Sequence, residues 1–104
     1  MPINEINELK DSFVKQLSPL RIYLFGSFAE GRQNEDSDFD FYIVVDDSRQ
    51  NVRKLTTEAY KSIRHKQKRA VDIVVNTNTR FESRTDIPSL EKEVASKGVL
   101  LYGE

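Results

Sequence analysis

Apolar residues recur along this chain with two different periods. Ile6, Leu9, Phe13 and Leu17 fall at steps of three, four and four, the spacing that lines one face of an α-helix. This predicts a first helix with Asn4 as its N-cap and Ser18-Pro19 as its stop. Residues 21 to 25 and 39 to 45 are instead short runs rich in aromatic and β-branched residues, closed by Gly26 and by Asp46-Asp47-Ser48; both predict strands. Val52, Leu55, Ala59 and Ile63 return to the helical step and lead into the basic stretch KSIRHKQKR, residues 61 to 69. AVDIVV, residues 70 to 75, predicts a third strand. Pro88 and Gly98 bracket a last helix, and VLLY, residues 99 to 102, adds an edge strand. With a short helix at SFAEG after Gly26, the predicted order is αβ(α)βαβαβ. The expected class is α/β (α+β by some schemes), a small mixed sheet with flanking helices and strands one to three adjacent.

Three residues interrupt the apolar pattern. Asp38 and Asp40 stand at the head of the second strand, and Asp72 lies between Val71 and Ile73 in the third. Strands tolerate aspartate poorly, and a charge at the edge of a core must be solvated, paired or bound to a metal. Side chains alternate across a strand, so Asp38 and Asp40 project from one face, with Phe39 and Phe41 turned to the other. Pairing of strands two and three would bring Asp72 to them. Three unpaired anions in one cleft repel, which raises at least one pKa unless divalent cations neutralise them. Magnesium suits such a site: it takes oxygen ligands, keeps several waters and shares its shell with substrate phosphates. Gly26 ends strand one at a sharp turn, and the N–H groups that follow, with the Ser27 hydroxyl, are placed to hold a polyphosphate. A Gly-Ser pair alone is common turn punctuation, and Asp72 alone could be an ion-paired strand residue. The run DSDFD also opens like a calcium-binding EF-hand loop, but Phe41 stands where that loop needs glycine.

Composition narrows the chemistry further. The 104 residues suit a single domain, expected to span 1–104, and a net charge of -1 gives no global pull toward nucleic acid or a membrane surface. Without cysteine there is no disulfide, thiol nucleophile or thiolate metal site, and with His65 as the lone histidine any metal must rest on oxygen ligands. The first twenty residues carry five charges and no signal-peptide core, so a cytoplasmic protein is expected. The cations of residues 61 to 69 read as a solvated helix end, and Tyr42, although on the face of Asp38 and Asp40, reads as packing.

Taken together, Gly26-Ser27, ten residues, Asp38, one residue, Asp40 and a hydrophobic strand form a pattern that resembles the minimal nucleotidyltransferases (MNT) of the DNA polymerase β superfamily. The resemblance is to the MNT antitoxins paired with HEPN toxins in particular. It covers nearly the whole chain, with its discriminating residues between 24 and 45. It implies a polymerase β palm-like fold in which Gly26 and Ser27 bind the triphosphate and Asp38 and Asp40 ligate two magnesium ions. Asp72 would be the third carboxylate, ligating one ion and helping to deprotonate the acceptor. The resemblance further implies ATP as donor, a tyrosine of a HEPN toxin encoded by a neighbouring gene as acceptor, and a hetero-oligomeric complex of the two. One departure is Glu30, where many relatives carry arginine; Arg32 could substitute for it. No residue fixes the acceptor, so transfer to a small molecule or an RNA end stays open, as does an antitoxin that acts by occlusion alone.

Overall fold

The computed structural model describes residues 2–34 and 36–104. Its elements are α1 (Ile3–Leu17), β1 (Arg21–Phe25), β2 (Phe39–Val45), α2 (Val52–Ile63), β3 (Val71–Thr77), α3 (Asn78–Arg84), α4 (Leu90–Lys97) and β4 (Val99–Tyr102). The strands form one mixed sheet in the order β3-β2-β1-β4. β2 and β3 run parallel, joined by α2 as the crossover that parallel neighbours require, while β1 is antiparallel to both β2 and β4. The mixed sheet, the adjacency of strands one to three and the edge strand at residues 99 to 102 are as expected.

Strand alternation divides the protein into layers. Phe39, Phe41, Ile43 and Val45 of β2, with Ile22, Leu24 and Val71, Ile73 and Val75 of β3, bury against Ile6, Leu9, Phe13 and Leu17 of α1 and Leu55, Ala59 and Ile63 of α2. This is the larger core, and the Phe13 and Phe41 rings meet edge to face at 5.1 Å within it. The opposite face carries Tyr42 and Val44, covered by Phe81 of α3 and Val94 of α4. Asp40 shares that second face, two residues before Tyr42. The outer edge of β3 is partly closed by Tyr60 of α2, whose hydroxyl accepts from the Ile73 N–H at 2.9 Å.

Local departures from the expected pattern each have a cause. α1 starts at Ile3 with Pro2 at its N-cap, so Asn4 lies inside the first turn rather than capping it; the Pro2 carbonyl accepts from the Ile6 N–H at 3.1 Å to close that turn, and proline at a helix start has a φ already suited to it. The stop is as expected: Ser18 takes a left-handed conformation with φ 48°. The SFAEG segment forms hydrogen-bonded turns and no helix. α2 ends at Ile63, so most of the basic stretch lies beyond it. The single last helix is two. α4 begins after Ser89, whose hydroxyl accepts from the Lys92 N–H at 3.0 Å, and α3 precedes it with Phe81 as its one buried residue. A helix with one apolar anchor has no periodicity to detect. Distant groups secure it: the Asp47 carboxylate accepts from the Thr79 N–H and hydroxyl, and Arg21 donates to Asn78 Oδ1 at 2.6 Å. Among the described residues no helix is long and apolar enough to cross a membrane.

The second layer is tied to the sheet by a buried polar chain. Tyr42, fully buried, donates from its hydroxyl to Glu91 Oε2 at 2.7 Å, and Arg84 Nε donates to Glu91 Oε1 at 2.8 Å. Burial pushes the Glu91 carboxyl up, but the hydrogen bonds from Tyr42 and Arg84 outweigh it and hold the group below its ordinary value. Tyr42 therefore acts as packing and anchor, as expected from its place in the strand. Tyr42→Phe should lower stability by about 1.5–3 kcal/mol, the range for a hydrogen bond to a charged partner. A urea melt checks this as a fall in midpoint at unchanged slope.

Candidate active site

Three strands bring their ends to one place on the α3/α4 face of the sheet. In the parallel pair Asp40 stands opposite Asp72, and in the antiparallel pair Phe25, the last residue of β1, stands opposite Asp40. The register follows from burial: a shift of one residue would turn Phe39, Phe41 and Ile73 out of the larger core. Asp72 is the second residue of β3 and lies at its head, not in its middle, because the strand runs on to Thr77. Asp38 sits just ahead of β2 and is exposed, as is Asp72, while Asp40 is half-buried.

The Asp40 carboxyl is pushed up to about 6, first by burial, then by the charge of Asp72, a hydrogen bond shared with Asp72, and the charge of Asp38. Burial and the neighbouring negative charges each disfavour the ionised form of Asp40. The expected convergence is thus met by the Asp40–Asp72 pair, with Asp38 near enough to act through its charge. Among the described residues no three such side chains are gathered tightly enough to hold a metal ion by themselves. The donor set still fits a hard divalent cation. It is all carboxylate oxygen, and its mutual repulsion is the kind a cation relieves, with water and substrate phosphate completing the shell.

Gly26 faces Asp40 directly. Its φ is 76°, and a Cβ added there would overlap Asp40 Oδ2 and stand 3.2 Å from Cγ. Only glycine accepts both the left-handed backbone and that approach. The Gly26 carbonyl accepts from the Glu30 N–H at 3.1 Å and the Ser27 carbonyl from the Arg32 N–H at 2.9 Å. The N–H groups of Ser27, Phe28 and Ala29 come ahead of that first return bond, the position in which a turn offers donors to an anion. Phe28 pins the turn to the core, with its ring 4.7 Å from that of Phe39. Arg69 lies over both rings, at 5.3 and 4.5 Å, and its guanidinium donates to both carboxylate oxygens of Glu5 at 3.1 and 3.2 Å. Arg69 is therefore a support for the turn and not one more solvated cation; its partners are too distant in sequence for any local signal to reveal it. Arg32 donates to Glu30 Oε2 at 3.2 Å in an exposed pair, so its guanidinium is engaged by the residue it was expected to replace.

Paired carboxylates beside a glycine turn leave the chemistry open, but the sequence profile of the nucleotidyltransferase domain family matches residues 6–101. The chain belongs to that family. As a nucleotidyltransferase it is similar over 100% of its length, at 26% identity and a TM-score of 0.59, to 75% of a chain in a crystal structure of a toxin-antitoxin with AMP-PNP. A candidate nucleotidyltransferase from Sulfolobus solfataricus superposes with a TM-score of 0.61 at 20% identity, over 97% of this chain and 79% of its own. The toxin-antitoxin MntA-HepT does so with a TM-score of 0.52 at 23% identity, over 100% of this chain and 74% of its own. These last two share the fold. No curated protein matches the chain at a significant level. The resemblance to minimal nucleotidyltransferases thus holds, and the glycine turn with its facing carboxylates occupies the segment that carries it.

Proposed function

We propose that this nucleotidyltransferase moves AMP from ATP to a tyrosine hydroxyl of a cognate HEPN toxin, and so acts as an antitoxin in the cytoplasm. The observation that carries the reading is Asp40, paired in register with Asp72, standing against the Gly26 turn, because it sets a cation-demanding face against a phosphate-accepting one. The similarity to a toxin-antitoxin bound to a nucleotide analogue supports the donor and the kind of partner.

In this reading the turn N–H groups and the Ser27 hydroxyl hold the triphosphate by donating to its oxygens. Asp38, Asp40 and Asp72 are the ligands for magnesium, which when bound supplies positive charge to the phosphates and lowers the pKa of the acceptor hydroxyl. Asp72 takes the hydroxyl proton. The freed oxygen bonds to the α-phosphorus, the bond from that phosphorus to the oxygen bridging toward the β-phosphate breaks, and pyrophosphate leaves. Gly26 keeps the carboxylates close to the turn, and alignment of attacking and leaving oxygens does the rest.

The test is direct. The protein is incubated with the product of the neighbouring gene, ATP and magnesium, and the partner's intact mass is measured. Additions of about 329 Da on tyrosine are expected, as covalent transfer of AMP requires. A partner neutralised without any mass change would establish occlusion in place of transfer.

A further inference from the structure

The basic stretch at residues 61 to 69 plays no part in the site above, and the structure divides it. Arg69 is committed to Glu5 and the rings of Phe28 and Phe39. Lys66 turns back across the groove between α1 and α2, and its ammonium donates to Ser12 Oγ at 2.7 Å. Ser12 is 6% exposed, on the buried side of α1 where the pattern Ile6, Leu9, Phe13, Leu17 is otherwise apolar. Its hydroxyl donates in turn to the Glu8 carbonyl at 3.2 Å. Around this buried hydroxyl opens a cavity of about 220 Å³ lined by Ser12, Lys15, Gln16, Ser62 and Lys66.

The lining has one chemical character: two ammonium groups, two hydroxyls and an amide, with no carboxylate. The ion pairs among the described residues engage Lys10, Arg32, Arg69 and Arg84, which leaves Lys15 and Lys66 without a counter-charge. Both lysines are exposed, and two like charges lining one groove favour an anion between them; an ammonium is an effective point-charge partner for phosphate. The size excludes a whole nucleotide, since pockets for ligands of that scale run from about 300 Å³ upward. The groove lies on the side of the sheet packed by α1 and α2, whereas Asp40 belongs to the α3/α4 side. An anion held there would not compete with a nucleotide at the glycine turn.

We propose that the α1/α2 cavity is a second, independent binding site for a compact anion of the phosphate class, either free or as the terminal phosphate of a small ester. Lys15 and Lys66 supply the charge and N–H donors, and the Gln16 amide adds a further donor, while the Ser12 and Ser62 hydroxyls, which donate to the Glu8 and Ala59 carbonyls, line the groove. Inorganic phosphate and glycerol phosphate are titrated separately into the full chain at constant ionic strength, with EDTA present, while backbone amide signals are followed by NMR. Saturable shifts at Ser12, Gln16 and Ser62 are expected, with half-saturation at or below about 1 mM; the stronger of the two probes identifies the source. Lys15→Gln/Lys66→Gln should weaken binding at least tenfold, and Asp40→Asn should leave it unchanged. Lys15→Gln alone, which leaves the Lys66–Ser12 bond intact, keeps the test open should the double variant not fold. Shifts that fail to saturate, that equal amounts of chloride reproduce, or that persist in the lysine variants overturn the proposal.

Discussion

Asp40→Asn should reduce nucleotidyl transfer by about 10³-fold, the order seen when a preorganised charge-stabilising group is removed, while making the protein without divalent cations more stable at neutral pH. The two effects have one source. Asp40 titrates near 6 in the fold against an ordinary value of 3.8, so between those values the folded chain binds a proton that the unfolded chain has released. Stability therefore falls as pH rises from about 4 to about 6, and the full penalty stands above that window. A shift of about two units corresponds to about 3 kcal/mol at most, and solvent screening of a half-exposed group reduces this to about 1–2 kcal/mol. Urea melts with EDTA at pH 4 and pH 7.5 should show the variant gaining on the parent only at the higher pH. Magnesium should then stabilise the parent at pH 7.5 and leave the variant little changed, since a ligand at about 100 times its dissociation constant adds about 2.7 kcal/mol. A variant that matches the parent's pH dependence would mean that Asp40 is not the group titrating in this window, and one that retains transfer would remove Asp40 from the chemistry.

The second large effect is expected at Gly26. Alanine there must accept a left-handed backbone, at about 1–2 kcal/mol, and its Cβ would displace the Asp40 carboxylate. Because the displaced group is the end of a flexible side chain, the loss of stability should stay near that figure. Activity should fall much further, by about 10²-fold, since misplacing a reacting or ligating group by about 1 Å is enough. Ser27→Ala should lose less than either, because the backbone donors of the turn survive it. Initial rates with labelled ATP and the partner, set beside urea midpoints, decide the matter: parental rates in a destabilised Gly26→Ala would reduce this glycine to a purely structural role.

Both predictions rest on a pair of carboxylates that was only half legible in the chain. Alternation along one strand was enough to put Asp38 and Asp40 on one side and Phe39 and Phe41 on the other, and the spacing from Gly26-Ser27 was enough for the family. The large core was readable too, since Ile6, Leu9, Phe13 and Leu17, Leu55, Ala59 and Ile63, and the first three strands each repeat with a period set by their own backbone geometry. Such signals act over about four residues, the reach of one helical turn or two strand positions. What needed the tertiary structure lies beyond that reach. Asp72 meets Asp40 through the parallel register of β2 and β3, which the burial of a whole sheet face sets. Burial, together with this encounter, raises the Asp40 carboxyl, while Asp38 stays outside a closed trio. α3 is held by Asp47 and Arg21 from other elements, Arg69 supports the glycine turn from the far end of the basic stretch, and Lys66 finds Ser12 across a helix pair. The repeating patterns by themselves determined which residues are inside and which chemistry the exceptions point to. Folding decided which exceptions meet, because a pair separated by tens of residues is brought together by the packing of everything else and leaves no periodic trace of its own.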